Sequence, residues 1–508
     1  MPVPSQRRAG VVFGYANIAV KNLVNLVYTP MLLSFVGQAD YGVYQTSNSF
    51  VFSLSLLSFG FSQAYVRFYT QKRAHGEDVR GLNGVYLVLY AVVSVAAFLL
   101  GLGFAASAGT LFSTSFTPEE VGLAQTVMSI MAGSIAVTLF NSVFDAYILA
   151  HEEFRFQQSR QMLTTLATPF CAYVLLCLGF GVVGVAVAQC AVNAVLLALN
   201  ASFCLGKLKM RFDVRHFDTS LFRAIAVFSA WIFTNQICDL INQNVPNVLL
   251  GAFTSASAVA VFAVSVQIRN VFTSISTTMS NVFTPKINQI VAESDNNDEL
   301  TQLMTRVGRY QMVLFCWVYG GFAVLGRFFV REWAGEGFAD AYWLVLAMTA
   351  PLAISLTQNT GIEIQRAKNR HRARSVVYLV MALVNLAITA GLAGVIGYWA
   401  PVVGYVAYVL LGCGVFMNWY YQCRIGLGMG HFWRRVLPVV GCGVAAALVC
   451  LAGTAALPVE SWGSFVAWGL AYTVFYAALL LSFAASGTER AKARALASKL
   501  FGRLRHRG

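Results

Sequence analysis

The stretch Gly14-Tyr-Ala-Asn-Ile-Ala-Val-Lys-Asn-Leu-Val-Asn-Leu-Val-Tyr-Thr-Pro-Met-Leu-Leu-Ser-Phe-Val36 is long and apolar enough to cross a bilayer as a helix, yet it carries a lysine near its middle. In helical register Gly14, Asn17, Lys21, Asn25 and Tyr28 recur at spacings of three and four, forming one polar or small-residue stripe on an otherwise apolar rod. A lone lysine at the centre of a membrane helix costs roughly 2.5–3.5 kcal/mol on insertion scales. That cost turns the stripe toward a bundle interior or a water-filled cavity and away from lipid. The stretch predicts a helical membrane protein with a wet, cationic interior.

The remainder of the 508 residues agrees, with 58% hydrophobic, 11% charged and a mean hydropathy of +0.65. Apolar runs at 11–36, 43–69, 83–106, 121–150, 161–181, 183–205, 221–247, 256–284, 308–330, 340–365, 375–396, 401–423, 435–456 and 462–484 predict about fourteen transmembrane helices. A barrel would instead show alternating segments of about 10 residues. The first run follows Arg7 and Arg8, but it is too long for a signal's apolar region and holds Lys21, so it reads as a retained helix. None of the ten cysteines forms a C-x-x-C pair, and all sit in or beside apolar runs as packing residues. The six histidines fall in polar connections, which leaves no intramembrane metal site. No cofactor and no enzyme activity are expected: the chain has no G-x-x-x-x-G-K-[ST] loop and no outer connection large enough for a glycosyl-donor site.

Basic residues cluster after even-numbered helices, as in Lys72, Arg73 and Arg80, or Arg366, Lys368, Arg370, Arg372 and Arg374; after odd-numbered ones only Arg327 and Arg331 appear, beside Glu332 and Glu336. This asymmetry places both termini in the cytoplasm. It also accounts for most of the net charge of +14, so no nucleic-acid partner is implied. In the basic tail, 485–508, Leu496, Leu500 and Leu504 share one helical face among Lys499, Arg503, Arg505 and Arg507. That pattern fits an amphipathic helix on anionic membrane lipid or a disordered tail.

An internal repeat relates the halves. Pro30-Met-Leu-Leu33 matches Pro246-Asn-Val-Leu-Leu250, and Gln45-x-x-Asn48 matches Gln267-x-x-Asn270 at nearly the same offset. The repeat predicts a six-helix N-lobe, 1–205, and a six-helix C-lobe, 206–424, inserted in the same sense, with two extra helices over 425–484. The first two helices of each half are the polar ones. Lys21, Asn25 and Asn48 mark one half, and Asn235, Asp239, Arg269 and Asn270 the other, as candidate cavity-lining residues. Lys21 and Asp239, at similar depths, are expected to form an ion pair, leaving Arg269 as the standing cation. Asp145 and Glu363 lie within about two turns of a cytoplasmic end, where either a coupling or a structural role fits; Arg366 is a local partner for Glu363.

Several stretches carry a family resemblance across nearly the whole chain. Val36-Gly-Gln-Ala-Asp-Tyr-Gly-Val-Tyr44, Gly60-Phe-Ser-Gln-Ala-Tyr-Val-Arg67, Thr284-Pro285-Lys286 with Arg309, Ala367-Lys-Asn-Arg370 and Val384-Asn-Leu386 resemble the O-antigen type polysaccharide flippase branch of the multidrug/oligosaccharidyl-lipid/polysaccharide (MOP) exporter superfamily. The resemblance implies two facing six-helix lobes and alternating access driven by an ion gradient or membrane potential. It also implies a polyprenyl-diphosphate-linked oligosaccharide as substrate, with polysaccharide polymerase and other assembly proteins as partners. A lipid II flippase, whose branch has arginines on helices one, two and eight, and a cation-coupled multidrug exporter centred on Asp239 remain the alternatives; helix two here offers only Gln45 and Asn48.

Overall fold

The computed structural model describes residues 3–213, 219–281, 283–370, 372–485 and 490. The basic tail beyond 490 and the side chains of Tyr15 and Asn235 lie outside the described residues. In chain order the helices are α1 (Val3–Phe52), α2 (Phe61–Ala74), α3 (Arg80–Leu111), α4 (Pro118–Ala150), α5 (Phe154–Cys177), α6 (Gly181–Ser202), α7 (Thr219–Gln243), α8 (Val245–Phe253) and α9 (Ala256–Asn281). They continue with α10 (Thr284–Glu293), α11 (Asn297–Ala334), α12 (Ala341–Thr357), α13 (Asn359–Ala367), α14 (Arg372–Ile396), α15 (Trp399–Ala407), α16 (Met417–Tyr420), α17 (Met429–Ala456) and α18 (Trp462–Leu479).

The protein is an all-helical membrane protein, and 11 stretches among the described residues are long and apolar enough to cross a bilayer. The fourteen expected runs differ from these at three places. Val20–Ala74 counts as one stretch but holds the first two runs. Within it α1 breaks at Gly37, whose φ of 76° is accessible to glycine without a Cβ clash, and a second break falls at Phe59 and Gly60, both left-handed. The fifth run is α5, whose first half is polar through Arg155, Gln157, Gln158 and Arg160. The seventh is α7, several of whose side chains are outside the described residues.

Helix ends follow local chemistry. Thr117 caps α4 through a reciprocal box in which Thr117 Oγ1 accepts from Glu120 N and Glu120 Oε2 accepts from Thr117 N, with Pro118 opening the first turn. Asn296 caps α11 by accepting from the backbone N–H of Asp298 and Glu299.

Two compact units form. The first comprises Met1–Ala263 and Tyr378–Gly404, so α7 and α8 pack with the helices of the first half. Between membrane helices apolar burial gives little drive, and small residues allow close approach instead. A Cβ on Gly101 would stand 2.5 Å from that of Ala132, and one on Gly42 would strike the Ala256 carbonyl at 1.8 Å. An aromatic cluster of Tyr65, Tyr69, Tyr86, Tyr90 and Tyr147 fills one part of this unit.

The second unit comprises Val264–Val377 and Tyr405–Gly508. Its last long helix, α18, is fastened to α11 by buried tyrosines: Tyr472 OH donates to the Cys316 carbonyl at 2.8 Å and Tyr476 OH to that of Val313 at 3.0 Å. Trp317 Nε1–H adds a bond to Thr473 Oγ1 at 3.0 Å.

Candidate functional site

In the second unit α9 sets Arg269 on its buried face, and the side chain is only 4% exposed. Its Nη2–H donates to Asn270 Oδ1 at 3.2 Å and its Nη1–H points to the Met348 sulfur at 3.9 Å. The guanidinium carbon lies 4.4 Å from the Tyr405 ring centroid. No carboxylate pairs with it among the described residues. A desolvated cation–π contact returns about 2 kcal/mol, a thioether is a weak acceptor, and the effective cost of burying an ion is several kcal/mol. The arrangement therefore holds a preformed, undercompensated positive charge, suited to an anion.

The polar residues of α9 divide between two faces. Ser276 and Ser280 share the buried face with Arg269 and are locked: Gln311 Nε2–H donates to Ser276 Oγ at 3.1 Å and Ser280 Oγ at 2.7 Å, Ser276 Oγ–H donates to the Leu356 carbonyl, and Asn359 adds a bond to Ser276. Asn270, one residue from Arg269, is exposed. Serines at helical spacing thus serve packing here, while the asparagine beside the arginine faces outward.

In the first unit Asp145 sits in a cluster of polar side chains. Arg160 Nη1 and Asn200 Nδ2 meet Asp145 Oδ1, and Asn141 Nδ2 donates to Oδ2 at 3.2 Å. Asn200 also donates to Asn141 Oδ1 at 2.7 Å. The cluster ties α4, α5 and α6 together around the Asp145 carboxyl group. Arg160 is 9% exposed and belongs to this core. In the second unit Glu363 pairs with Arg366 at 2.7 Å, the local partner its spacing indicated.

Lys21 is exposed and makes no hydrogen bond or ion pair among the described residues. The ion pair expected with Asp239 is therefore not formed. Asp239 is exposed as well, so neither charge is driven to the other by desolvation. Asn25 is exposed and partnered, and Asn48 is half-buried. Asn235 is on α7, with its side chain outside the described residues. Near Asp239, Asn385 Nδ2 donates to Asn242 Oδ1 at 2.9 Å and shares its own Oδ1 with Thr389.

Beyond the end of α4 lies His151, half-buried against Tyr69 and Tyr147. Burial holds its pKa below the ordinary value, with Arg73 acting in the same sense. Its Nδ1 bonds the Tyr147 carbonyl at 2.8 Å, which requires Nδ1–H and makes Nε2 the acceptor for Tyr69 OH at 2.9 Å. No group of three His, Cys, Asp or Glu among the described residues is placed to hold a metal ion. Sequence reasoning missed Arg160, Gln311, Asn385 and Tyr405 as site or network residues. Gln311 and Asn385 could have been marked as amides inside apolar runs, whereas nothing local to Tyr405 points to Arg269.

Known proteins resemble this chain in sequence and fold. The family model described as "Polysaccharide biosynthesis protein" matches residues 31–343. A protein of Bacillus subtilis (strain 168), "Uncharacterized membrane protein EpsK", is 22% identical over 472 residues, covering 91% of this chain and 92% of its own. Among solved structures, "Lipid II flippase MurJ, inward closed conformation" superposes with a TM-score of 0.75 at 12% identity, covering 92% of this chain and 98% of that one. An inward-facing "multidrug resistance MATE family transporter of the MOP superfamily" gives a TM-score of 0.62 at 16% identity, over 80% and 94% of the two chains. At such identities these two likenesses establish the fold.

Proposed function

We propose that this chain, which belongs to the polysaccharide biosynthesis protein family and shares its fold with MOP transporters, is a membrane transporter and not an enzyme, and that it flips a polyprenyl-diphosphate-linked oligosaccharide from the inner to the outer leaflet. The observation that carries this reading is Arg269, a guanidinium kept inside the membrane region without a carboxylate partner among the described residues. A diphosphate is the part of such a substrate that needs charge-assisted donors in a low dielectric. Lys21 serves as a second, accessible cation, and Asn25, Asn48, Asn235, Asp239 and Asn270 supply polar contacts to headgroup and sugars. In this reading fourteen helices form two six-helix lobes, 1–205 and 206–424, with an added pair over 425–484. Both termini are cytoplasmic, alternating access is driven by an ion gradient or membrane potential, and polymerase and other assembly proteins receive the glycan.

The test is genetic and chemical. In a strain lacking the gene, lipid-linked glycan should build up on the inner leaflet, and the wild-type gene should clear it. The Arg269→Gln protein should reach the membrane at normal levels and lower glycan export by about tenfold to a hundredfold, the loss of charge-assisted hydrogen bonds worth roughly 1.5–3 kcal/mol. Unchanged glycan export with raised drug sensitivity would overturn the reading in favour of a cation-coupled exporter at Asp239. Accumulation of lipid II alone would redirect the substrate.

A further inference from the structure

Resting on the flippase reading above, we infer that Tyr405 and Tyr408 form a sugar-stacking platform beside the Arg269 anion site, so that the diphosphate and the first sugars of one substrate are held on adjoining surfaces of the second unit. Arg269 lies over one face of the Tyr405 ring, with its guanidinium carbon 4.4 Å from the centroid. Tyr408 continues the aromatic surface: the two ring centroids are 6.1 Å apart and the planes differ by 25°. Both rings are half-buried, neither sunk in the core nor fully exposed. The Tyr405 hydroxyl makes no hydrogen bond among the described residues, so the ring is not fixed there to serve packing.

The backbone supports the same assignment. After α15 the hydrogen-bond ladder opens to π-helical spacing over Tyr408–Phe416, starting at the second ring. Such widened turns inside α-helices are uncommon and fall frequently at functional sites. Asn270 completes the surface; its Oδ1 is occupied by Arg269, leaving its amide N–H groups to face outward for phosphate or hydroxyl oxygens. In a polyprenyl diphosphate sugar the first pyranose is bonded directly to the terminal phosphate. A cation next to two neighbouring rings therefore matches the order of groups along the substrate. The apolar C–H face of a pyranose stacks on an aromatic ring largely irrespective of which hydroxyls are axial, so the platform recognises hexoses as a class.

Binding by the purified full-length protein in lipid nanodiscs tests this with two kinds of probe: bare farnesyl diphosphate, and farnesyl diphosphate bearing glucose, galactose or N-acetylglucosamine. The wild type should bind the sugar-bearing probes more tightly than the bare one. Tyr408→Leu should reduce that preference by roughly fivefold to tenfold, in line with the worth of an aromatic contact, with bare-diphosphate affinity unchanged; Tyr408→Phe should keep the preference. If the wild type shows no preference for any sugar-bearing probe, or if Tyr408→Leu leaves it intact, the platform is refuted while the anion site stands. If Arg269→Gln does not weaken bare farnesyl diphosphate, the flippase reading itself falls.

Discussion

Arg160 and Arg269 are buried to similar depths, 9% and 4% exposed, yet their surroundings are opposite. Arg160 faces a carboxylate that two asparagines also hold, so the cluster is nearly neutral and closes on itself across α4, α5 and α6. Arg269 faces a ring, a sulfur and an amide oxygen, none of which carries a full negative charge. Depth alone does not separate a structural charge from a functional one. What separates them is whether the fold itself supplies the counter-charge.

The largest expected effect lies on the uncompensated side. Arg269→Gln, the test of the proposed transport, should suppress glycan export while leaving the melting temperature of the purified protein close to wild type, because no partner is stranded. A large loss of thermal stability would instead make Arg269 a second Arg160.

On the compensated side the effect should appear in stability. Asp145→Ala strands Arg160 and should lower stability by about 2 kcal/mol, less than the 3–5 kcal/mol for breaking a fully buried pair because Asp145 is partly exposed. The double change Asp145→Leu with Arg160→Met should recover much of this, since an apolar pair of similar volume replaces a buried ion pair at little cost. Thermal unfolding of detergent-solubilised protein measures both. If the double variant remains as unstable as the single one, the cluster does more than neutralise a charge.

A smaller effect is expected at His151, at the end of the helix that bears Asp145. Its folded pKa is depressed, so the folded state prefers the neutral ring. Stability from this site should be complete above the unfolded value of about 6.5 and decline as pH falls below it toward the folded pKa. Protonation converts Nε2 from acceptor to donor and disrupts the bond from Tyr69 OH. A pH series of melting temperatures should show this decline in the wild type and lose it in His151→Gln; an identical profile in both would place the pH dependence elsewhere.

The smallest stability effect belongs to Lys21, exposed and without an ion pair among the described residues. Lys21→Ala should leave stability within about 0.5 kcal/mol of wild type, while glycan export falls by less than in Arg269→Gln. Partial recovery of export in a Lys21→Asp, Asp239→Lys swap would reinstate an ion pair in another conformation.

Periodicity and composition were enough to establish a helical membrane protein. They marked Lys21, Asp145, Asp239 and Arg269 as intramembrane charges and found the Glu363 to Arg366 pair. All of these depend on hydropathy summed over a span or on neighbours three residues apart, which a linear chain displays directly. The expected Lys21 to Asp239 pair failed because equal depth on two helices does not bring side chains together. Only the tertiary structure decided that Arg160 neutralises Asp145, that Gln311 locks the serines of α9, and that Tyr405 lies against Arg269. Each is a meeting of helices distant in sequence, and compensation of a buried charge depends on distances of a few ångströms that spacing along one helix does not encode.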